Sequence, residues 1–397
     1  MSVLRRAIRA DRLTRFEPAQ RPHAVVPRQL TVMQLLPALD AGGVERSTLE
    51  IAAALLDAGH RAIVVSAGGR LLPALQAIGA EHITLSIGRK SLLTLRHIPA
   101  LRRLLREVRP DIVHARSRLP AWVAVAALRG MAAPPHFMTT MHGLNSPGRY
   151  SGVMLRGERV ICVSETVRDY ALRHYPETDR ERLVVIPRGV DPLAFSREVV
   201  PSAQWRAQLL AAHPQLAGAP LLMLPARGTR LKGHTHALGL LQRLRADGLD
   251  ARLLLAGVDQ PGRERYLAEL RKQGDALGLR DVVAFTKPLA DMRELYAVSD
   301  LVLQLSDKPE AFGRTVIEAL CSGRAVLGWD LGGVGELLRE LFADGAVVFG
   351  DADALASRAK VLLAAPVPEF RLPDRYTLAR MQAQTLALYA DLVVASN

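Results

Sequence analysis

Cysteine is nearly missing from this chain: Cys162 and Cys321 are the two in 397 residues. Both sit in apolar runs, which argues against a disulfide framework and suits a reducing cytoplasm. Aromatic residues are scarce as well, at 5%. A surface that stacks unpaired bases needs interleaved aromatic rings, so the shortage argues against a nucleic-acid-binding protein. No apolar run approaches the roughly 18–20 residues that span a bilayer; the stretch 121–128 is typical of what is there. Acid is also in short supply, with 39 Asp and Glu against 52 Lys and Arg, a net charge of +13. That excess concerns partners rather than fold: nucleic acid, an anionic membrane surface or phosphate-bearing small molecules.

What is present is ample apolar material, 49% of the chain, enough for ordinary globular cores. The length exceeds one usual core, so two domains are expected. Part of the positive charge is local. Residues 1–28 form a basic arm carrying Arg5, Arg6, Arg9, Arg12, Arg15, Arg21 and Arg28 against Asp11 and Glu17. No apolar segment follows, so a secretory signal is not indicated. Val3, Leu4, Ala7 and Ile8 share a helical face suited to a membrane surface; a disordered basic arm and a transit peptide are the other readings.

From Leu30 onward a short β-branched run, a small-residue loop and a helix-period segment alternate. Strands are predicted at 31–36, 62–66, 82–87, 111–115, 136–141, 160–164 and 183–187, with a helix over about 45–58 stopped by Gly59. Near-continuous apolarity fits parallel strands covered on both faces. Prolines 192, 201 and 214 interrupt the pattern around a helix holding Trp205 and Leu209. The alternation then restarts, with strands at 220–224, 252–256, 282–285, 301–305, 325–329 and 346–349. The fold class is therefore α/β, two doubly wound domains with a cleft between them. The divisions are a basic arm at 1–28, an N-terminal domain at 29–192, a linker with a short helix at 193–218, a C-terminal domain at 219–365 and a helical tail at 366–397 that packs back on the N-terminal domain.

In open α/β sheets ligands bind beyond the carboxyl ends of strands, so the loops there carry the chemistry. One reads Asp307-Lys308-Pro309-Glu310-Ala311-Phe312-Gly313 and opens a helix at Arg314. Glu310 and Glu318 stand eight positions apart, and the N–H groups of Phe312, Gly313, Arg314 and Thr315 form a helix N-terminus between them. Such an end receives phosphate or hydroxyl oxygens, and the carboxylates can accept from vicinal sugar hydroxyls. A second loop places Arg227 and Lys232 five apart, able to clamp a diphosphate and stabilise a leaving nucleotide.

These spacings resemble the retaining glycosyltransferases of family 4, which have the GT-B fold of two facing Rossmann-like domains. The Gly42-Gly43 loop, Val163-Ser164-Glu165 and the run Ile186-Pro187-Arg188-Gly189-Val190-Asp191 join the resemblance, which covers about residues 31–390. It implies that Arg227 and Lys232 contact the donor diphosphate and that Glu318 holds the ribose. Glu310, with the Phe312–Thr315 backbone, would hold the transferred sugar; Gly42 and Gly43 would admit the phosphate and Leu289 would lie by the base. His142 matches a histidine near the reacting carbon. The implied donor is a nucleotide-sugar, commonly a UDP-sugar, with catalytic roles for His142, Glu310, Arg227 and Lys232, no cofactor and no metal. Ala311 stands where the family often has Gly, and Arg188 where it often has Asn; the arginine adds a cation near the cleft or marks a subfamily.

The run from His114 to Trp122, with His142-Gly143-Leu144 and Arg149-Tyr150-Ser151, looks similar to bacterial transferases that extend the lipopolysaccharide core. That similarity implies an anionic glycolipid or oligosaccharide acceptor, with Arg116, Arg118 and Arg149 binding its phosphates or carboxylates. It also implies a protein peripheral to the cytoplasmic face of the inner membrane. Arg102, Arg103, Arg106 and Arg109, off the apolar face of Leu101, Leu104, Leu105 and Val108, supply either a basic membrane face or an ordinary solvated one. Other activities stay open at this point: a UDP-sugar epimerase, a phosphorylase, or transfer to an exopolysaccharide or small molecule.

Overall fold

The computed structural model describes residues 28–394 apart from 41, 90, 290 and 367–368. The basic arm, except Arg28, lies outside the described residues. Arg28 donates to Asp111 Oδ1 at 2.6 Å, and the Thr31 N–H donates to Asp111 Oδ2 at 2.7 Å, fixing where the first strand begins.

The N-terminal sheet contains β1 (Thr31–Leu35), β2 (Arg61–Ser66), β3 (Glu81–Thr84), β4 (Ile112–Ala115), β5 (His136–Met141), β6 (Arg159–Cys162) and β7 (Leu183–Val185). The C-terminal sheet contains β8 (Leu221–Pro225), β9 (Arg252–Ala256), β10 (Val283–Phe285), β11 (Leu301–Gln304), β12 (Ala325–Trp329) and β13 (Ala346–Val347). Every strand pair is parallel, and the orders are β3-β2-β1-β4-β5-β6-β7 and β10-β9-β8-β11-β12-β13. Each order reverses once, between β1 and β4 and between β8 and β11. At those points neighbouring loops leave in opposite directions and a crevice opens at the carboxyl ends.

Several predicted strands end sooner in the structure, β3 and β13 among them. The ladder to β2 ends at Thr84, with one further bond from the Leu85 N–H to the Ser66 carbonyl, and β13 stops at Val347 because Val348 and Phe349 turn to solvent, 71% and 45% exposed. The predicted helix runs over Gly43–Asp57.

One buried apolar cluster runs through both domains, from Met33 and Val113 to Val302 and Phe312, so the two halves share a core. The linker helix Ala203–Ala212 is capped by Ser202, whose Oγ accepts from the Trp205 N–H. The chain then recrosses to the first domain. Val190 bridges Thr377, and the helix Leu378–Val394 packs on Gly43–Asp57 with Tyr389 fully buried. The Tyr389 hydroxyl meets His114 Nδ1 at 2.7 Å, satisfying both groups inside the core.

Candidate active site

The loop after β8 ends at Gly233, whose φ is +71°. A Cβ there would stand 1.8 Å from the Leu305 carbonyl oxygen, so only glycine lets this loop touch the end of β11. That contact seats Lys232, whose Nζ lies 2.7 Å from Glu310 Oε1. The Ser306 hydroxyl donates to the same carboxylate oxygen. Arg227 projects from the same loop, exposed, and its guanidinium forms no hydrogen bond or ion pair among the described residues. The switch point of the second sheet therefore brings a free cation and an ion-paired lysine to one rim.

Gly313 opens the helix Arg314–Cys321, and Glu318 follows one turn later, 6% exposed. A buried carboxylate needs donors. Oε2 accepts from the Tyr296 hydroxyl at 2.9 Å; Oε1 accepts from Arg314 Nε at 3.0 Å and Arg46 Nη1 at 3.5 Å. Burial, and then the charge of Glu318, hold the Tyr296 hydroxyl well above its ordinary pKa, so it stays a donor.

Arg46 belongs to the helix after β1, and so does Glu50, whose Oε1 accepts from Arg314 Nη2 at 2.8 Å. These bonds press the first turns of Gly43–Asp57 against the Arg314–Cys321 helix. A Cβ on Gly43 would meet nothing within 4 Å, so protein packing does not demand glycine there and the space above it is free. Elsewhere on the interface Ser164 Oγ donates to the Ala311 carbonyl at 2.5 Å. Glu336 accepts from the Glu165 and Thr166 N–H groups at 3.1 and 2.8 Å, so a carboxylate of one domain caps a helix of the other.

His142 follows β5, and its Nδ1 lies 2.9 Å from Arg188 Nη2. Arginine can only donate, so Nδ1 is the acceptor and the proton of the neutral ring sits on Nε2. Burial first, then Arg188 and Arg116, hold the ring well below its ordinary pKa. His142 is thus a neutral donor rather than a base.

The structure gathers Lys232, Glu310, Gly313, Arg314, Thr315 and Glu318 of one domain with Gly42, Gly43 and His142 of the other. Phe312 is mostly buried, its ring 6.1 Å from Tyr376, so its side chain serves packing. Leu289 is 44% exposed at the end of a loop. Arg118 and Arg149 occupy a different surface from Arg116. Arg118 lies over the Tyr150 ring at 5.2 Å and donates to Ser151 Oγ, and Arg149 is exposed. Arg116 is buried, turned inward to Gln34 and Ser47. Arg102 also departs from a solvated face: its guanidinium donates to the carbonyls of Ala126, Ala127 and Arg129, closing the helix Arg118–Leu128. Among the described residues no group of three or more His, Cys, Asp or Glu is placed to hold a metal ion.

Arg46, Glu50, Tyr296, Ser306 and Glu336 do not stand out in the sequence. Glu50 and Arg314 are 264 residues apart. The one local sign is a row of polar residues, Arg46, Ser47 and Glu50, on the first turns of a helix whose later turns are apolar.

Two facing parallel sheets with a cationic and acidic rim at the second switch point define a glycosyltransferase of the GT-B class. Residues 41–192 match the sequence family described as Glycosyltransferase Family 4, and residues 210–376 match Glycosyl transferases group 1. Together the matches take in most of the chain, which belongs to the family-4 glycosyltransferases. A phosphatidyl-myo-inositol mannosyltransferase of Mycolicibacterium smegmatis is 28% identical over 336 residues, 80% of each chain. A glycosyltransferase structure from Rickettsia africae superposes with a TM-score of 0.81 at 26% identity, covering 93% of this chain and all of that one. HepE of Anabaena, solved with UDP and glucose, shares the fold with a TM-score of 0.73 at 21% identity, covering 91% and 100%. Other curated relatives, 26–31% identical, are spanned over only 33–46% of their own length.

Proposed function

We propose that the protein is a retaining, metal-independent transferase that moves a hexose from a UDP-sugar to an anionic lipid-linked glycan, the lipopolysaccharide core being the acceptor class. The observation that carries this reading is the Lys232–Glu310 pair at 2.7 Å beside the unpaired Arg227, at the carboxyl ends of β8 and β11. Two cations there neutralise a leaving diphosphate, the task that a metal ion performs in other sites. Glu310, bonded to Lys232 and Ser306, orients hydroxyls of the transferred sugar, and Glu318 accepts from the ribose once Arg46, its weakest donor, yields. HepE carries UDP and glucose in the same fold, which supports the choice of base.

Retention follows from which groups are free. Glu310 is ion-paired, Glu318 is buried beneath donors, and His142 presents a proton rather than a lone pair. The departing phosphate oxygen is then the base available to the acceptor hydroxyl. Attack on the face the phosphate leaves keeps the anomeric configuration.

Arg118, with Tyr150 beside it, and Arg149 form the rim that meets acceptor phosphates or carboxylates. Leu93 and Leu95, 66% and 57% exposed beside Arg89 and Arg96, suit peripheral contact with the anionic cytoplasmic face of the inner membrane. Among the described residues no helix is long and apolar enough to cross a membrane.

The test is incubation with labelled UDP-hexoses, with and without truncated core lipopolysaccharide. Acceptor-dependent UDP release, with a product whose anomeric configuration matches the donor, is expected. Isomerisation of the donor without acceptor would identify an epimerase instead.

A further inference from the structure

Two buried guanidinium groups in the N-terminal wall of the cleft have no carboxylate hydrogen-bonded to them. Arg116 follows β4 and is 3% exposed; its Nε donates to Gln34 Oε1 at 2.7 Å and its Nη1 to Ser47 Oγ at 3.3 Å. Its Nη2 is buried and has no hydrogen-bond partner among the described residues. Arg188 follows β7 and is 8% exposed; it donates to Ser47 Oγ at 2.6 Å, to His142 Nδ1 at 2.9 Å and to Met381 Sδ at 3.6 Å. All these partners are neutral. The Nε2 proton of His142 is buried and unpartnered too.

The wider cluster does not balance the charge. Arg46 and Arg314 bond directly to Glu318 and Glu50; Arg116 and Arg188 feel only Glu50, through space, and its Oε2 is buried with no hydrogen-bond partner among the described residues. The remaining group beside Arg116 is the Tyr389 hydroxyl, which burial keeps protonated, with a pKa pushed up to about 12. Burial and the neighbouring Arg116 bring Arg188 down to about 9. Two buried cations that share one through-space acid and have no carboxylate bonded to them are costly for a fold to hold, and a bound anion relieves that cost.

We infer that Arg116, Arg188 and His142 form a subsite for an anionic oxygen group, a carboxylate or a phosphate, on one of the two sugars that meet in the cleft. The inference rests on the transferase reading and adds a substrate class to it: an acidic sugar. Arg116 Nη2 and His142 Nε2 are buried donors with hydrogens unspent, and Arg188 ties them together through Ser47 and the His142 ring. Arg188 also fixes the tautomer that makes His142 one of them. A neutral hydroxymethyl group cannot supply the charge these cations lack, so the subsite discriminates between acidic and neutral sugars that are otherwise alike.

The experiment is calorimetric titration of the full chain in two arms. In the first, UDP, UDP-glucose, UDP-glucuronate and UDP-galacturonate are compared. In the second, the UDP-saturated protein receives truncated core oligosaccharide with and without its phosphates and acidic sugars. At least about tenfold tighter binding of the acidic form is expected in one arm, which identifies the sugar that carries the group. Arg188→Asn is expected to abolish that preference, to leave UDP affinity within twofold, and to melt higher than wild type without ligand because an uncompensated charge has gone. Arg188→Lys keeps part of the preference. UDP binding by the wild type with no acidic preference in either arm overturns the subsite and leaves the transferase reading standing, whether or not any variant folds. A preference unchanged in Arg188→Asn overturns it as well. Failure of every nucleotide to bind overturns the transferase reading instead.

Discussion

Lys232 has two relations at once, an ion pair with Glu310 inside the protein and a position at the rim of the second sheet. Lysine and glutamate are each roughly a quarter exposed, so their mutual attraction adds little to stability. Lys232→Ala is therefore expected to lower kcat/KM about 100- to 1,000-fold, by analogy with loss of one charge-stabilising donor. Its melting temperature should stay within a few degrees. Steady-state UDP release and a thermal melt check both, and turnover within twofold of wild type contradicts the assignment. Tyr296→Phe acts differently. It removes a donor from a buried carboxylate, at a cost of about 1–3 kcal/mol, and loosens Glu318, the residue proposed to hold the ribose. Lower stability by urea titration together with a raised donor KM is the expected pair of results. The cysteines are inert at this scale: burial pushes both thiols up to about 12.

At the scale of elements, Glu336 makes a cross-domain helix cap that resembles a hinge latch. Glu336→Gln keeps the shape and removes the charge. A charged cap at a helix N-terminus contributes about 1 kcal/mol, so solution scattering of the ligand-free variant should show a larger radius of gyration. An unchanged radius would show that the cap does not hold the closed arrangement. The elements themselves are legible in the sequence. Every strand is marked there to within a few residues at either end, because a parallel strand covered on both faces writes a continuous apolar run. The loops around Arg227, Lys232, Glu310 and Glu318 stand out in the sequence only as a set, since charge after a strand is often plain surface charge and the signal lies in the combined spacings. Strand ends at β3 and β13 are not legible, because apolar residues continue past the last ladder bond. Nor is the orientation of Arg102 and Arg116. A helical wheel marks Arg102 as lying off the apolar face and says nothing of the helix end it will meet, and Arg116, just past the end of β4, carries no local sign of the distant glutamine.

Contacts between distant parts of the chain govern the whole molecule, and these leave no local trace. Glu50 with Arg314, Ser164 with Ala311 and Tyr389 with His114 each join segments far apart in sequence. Six histidines, 60, 82, 114, 142, 213 and 234, are held below their ordinary pKa, and 114, 142 and 234 are lowered furthest. Burial is the leading cause in each, and His234 falls to about 4. A depressed histidine contributes stability above its unfolded value of 6.5, and that stability is lost as pH falls toward the folded value. His234 alone accounts for about 3 kcal/mol between pH 6.5 and about 4. Urea midpoints should be level from pH 8 to 7 and decline steadily below 6.5; a protein that gains stability on acidification contradicts this.

Calorimetric titration of UDP into the full chain and into the Arg227→Ala, Lys232→Ala double variant tests the central claim most directly. The account predicts saturable binding by the wild type and a loss of about 100-fold in affinity when both cations are removed, some 2.7 kcal/mol. Equal affinity in the two proteins, or no binding by the wild type, would contradict it.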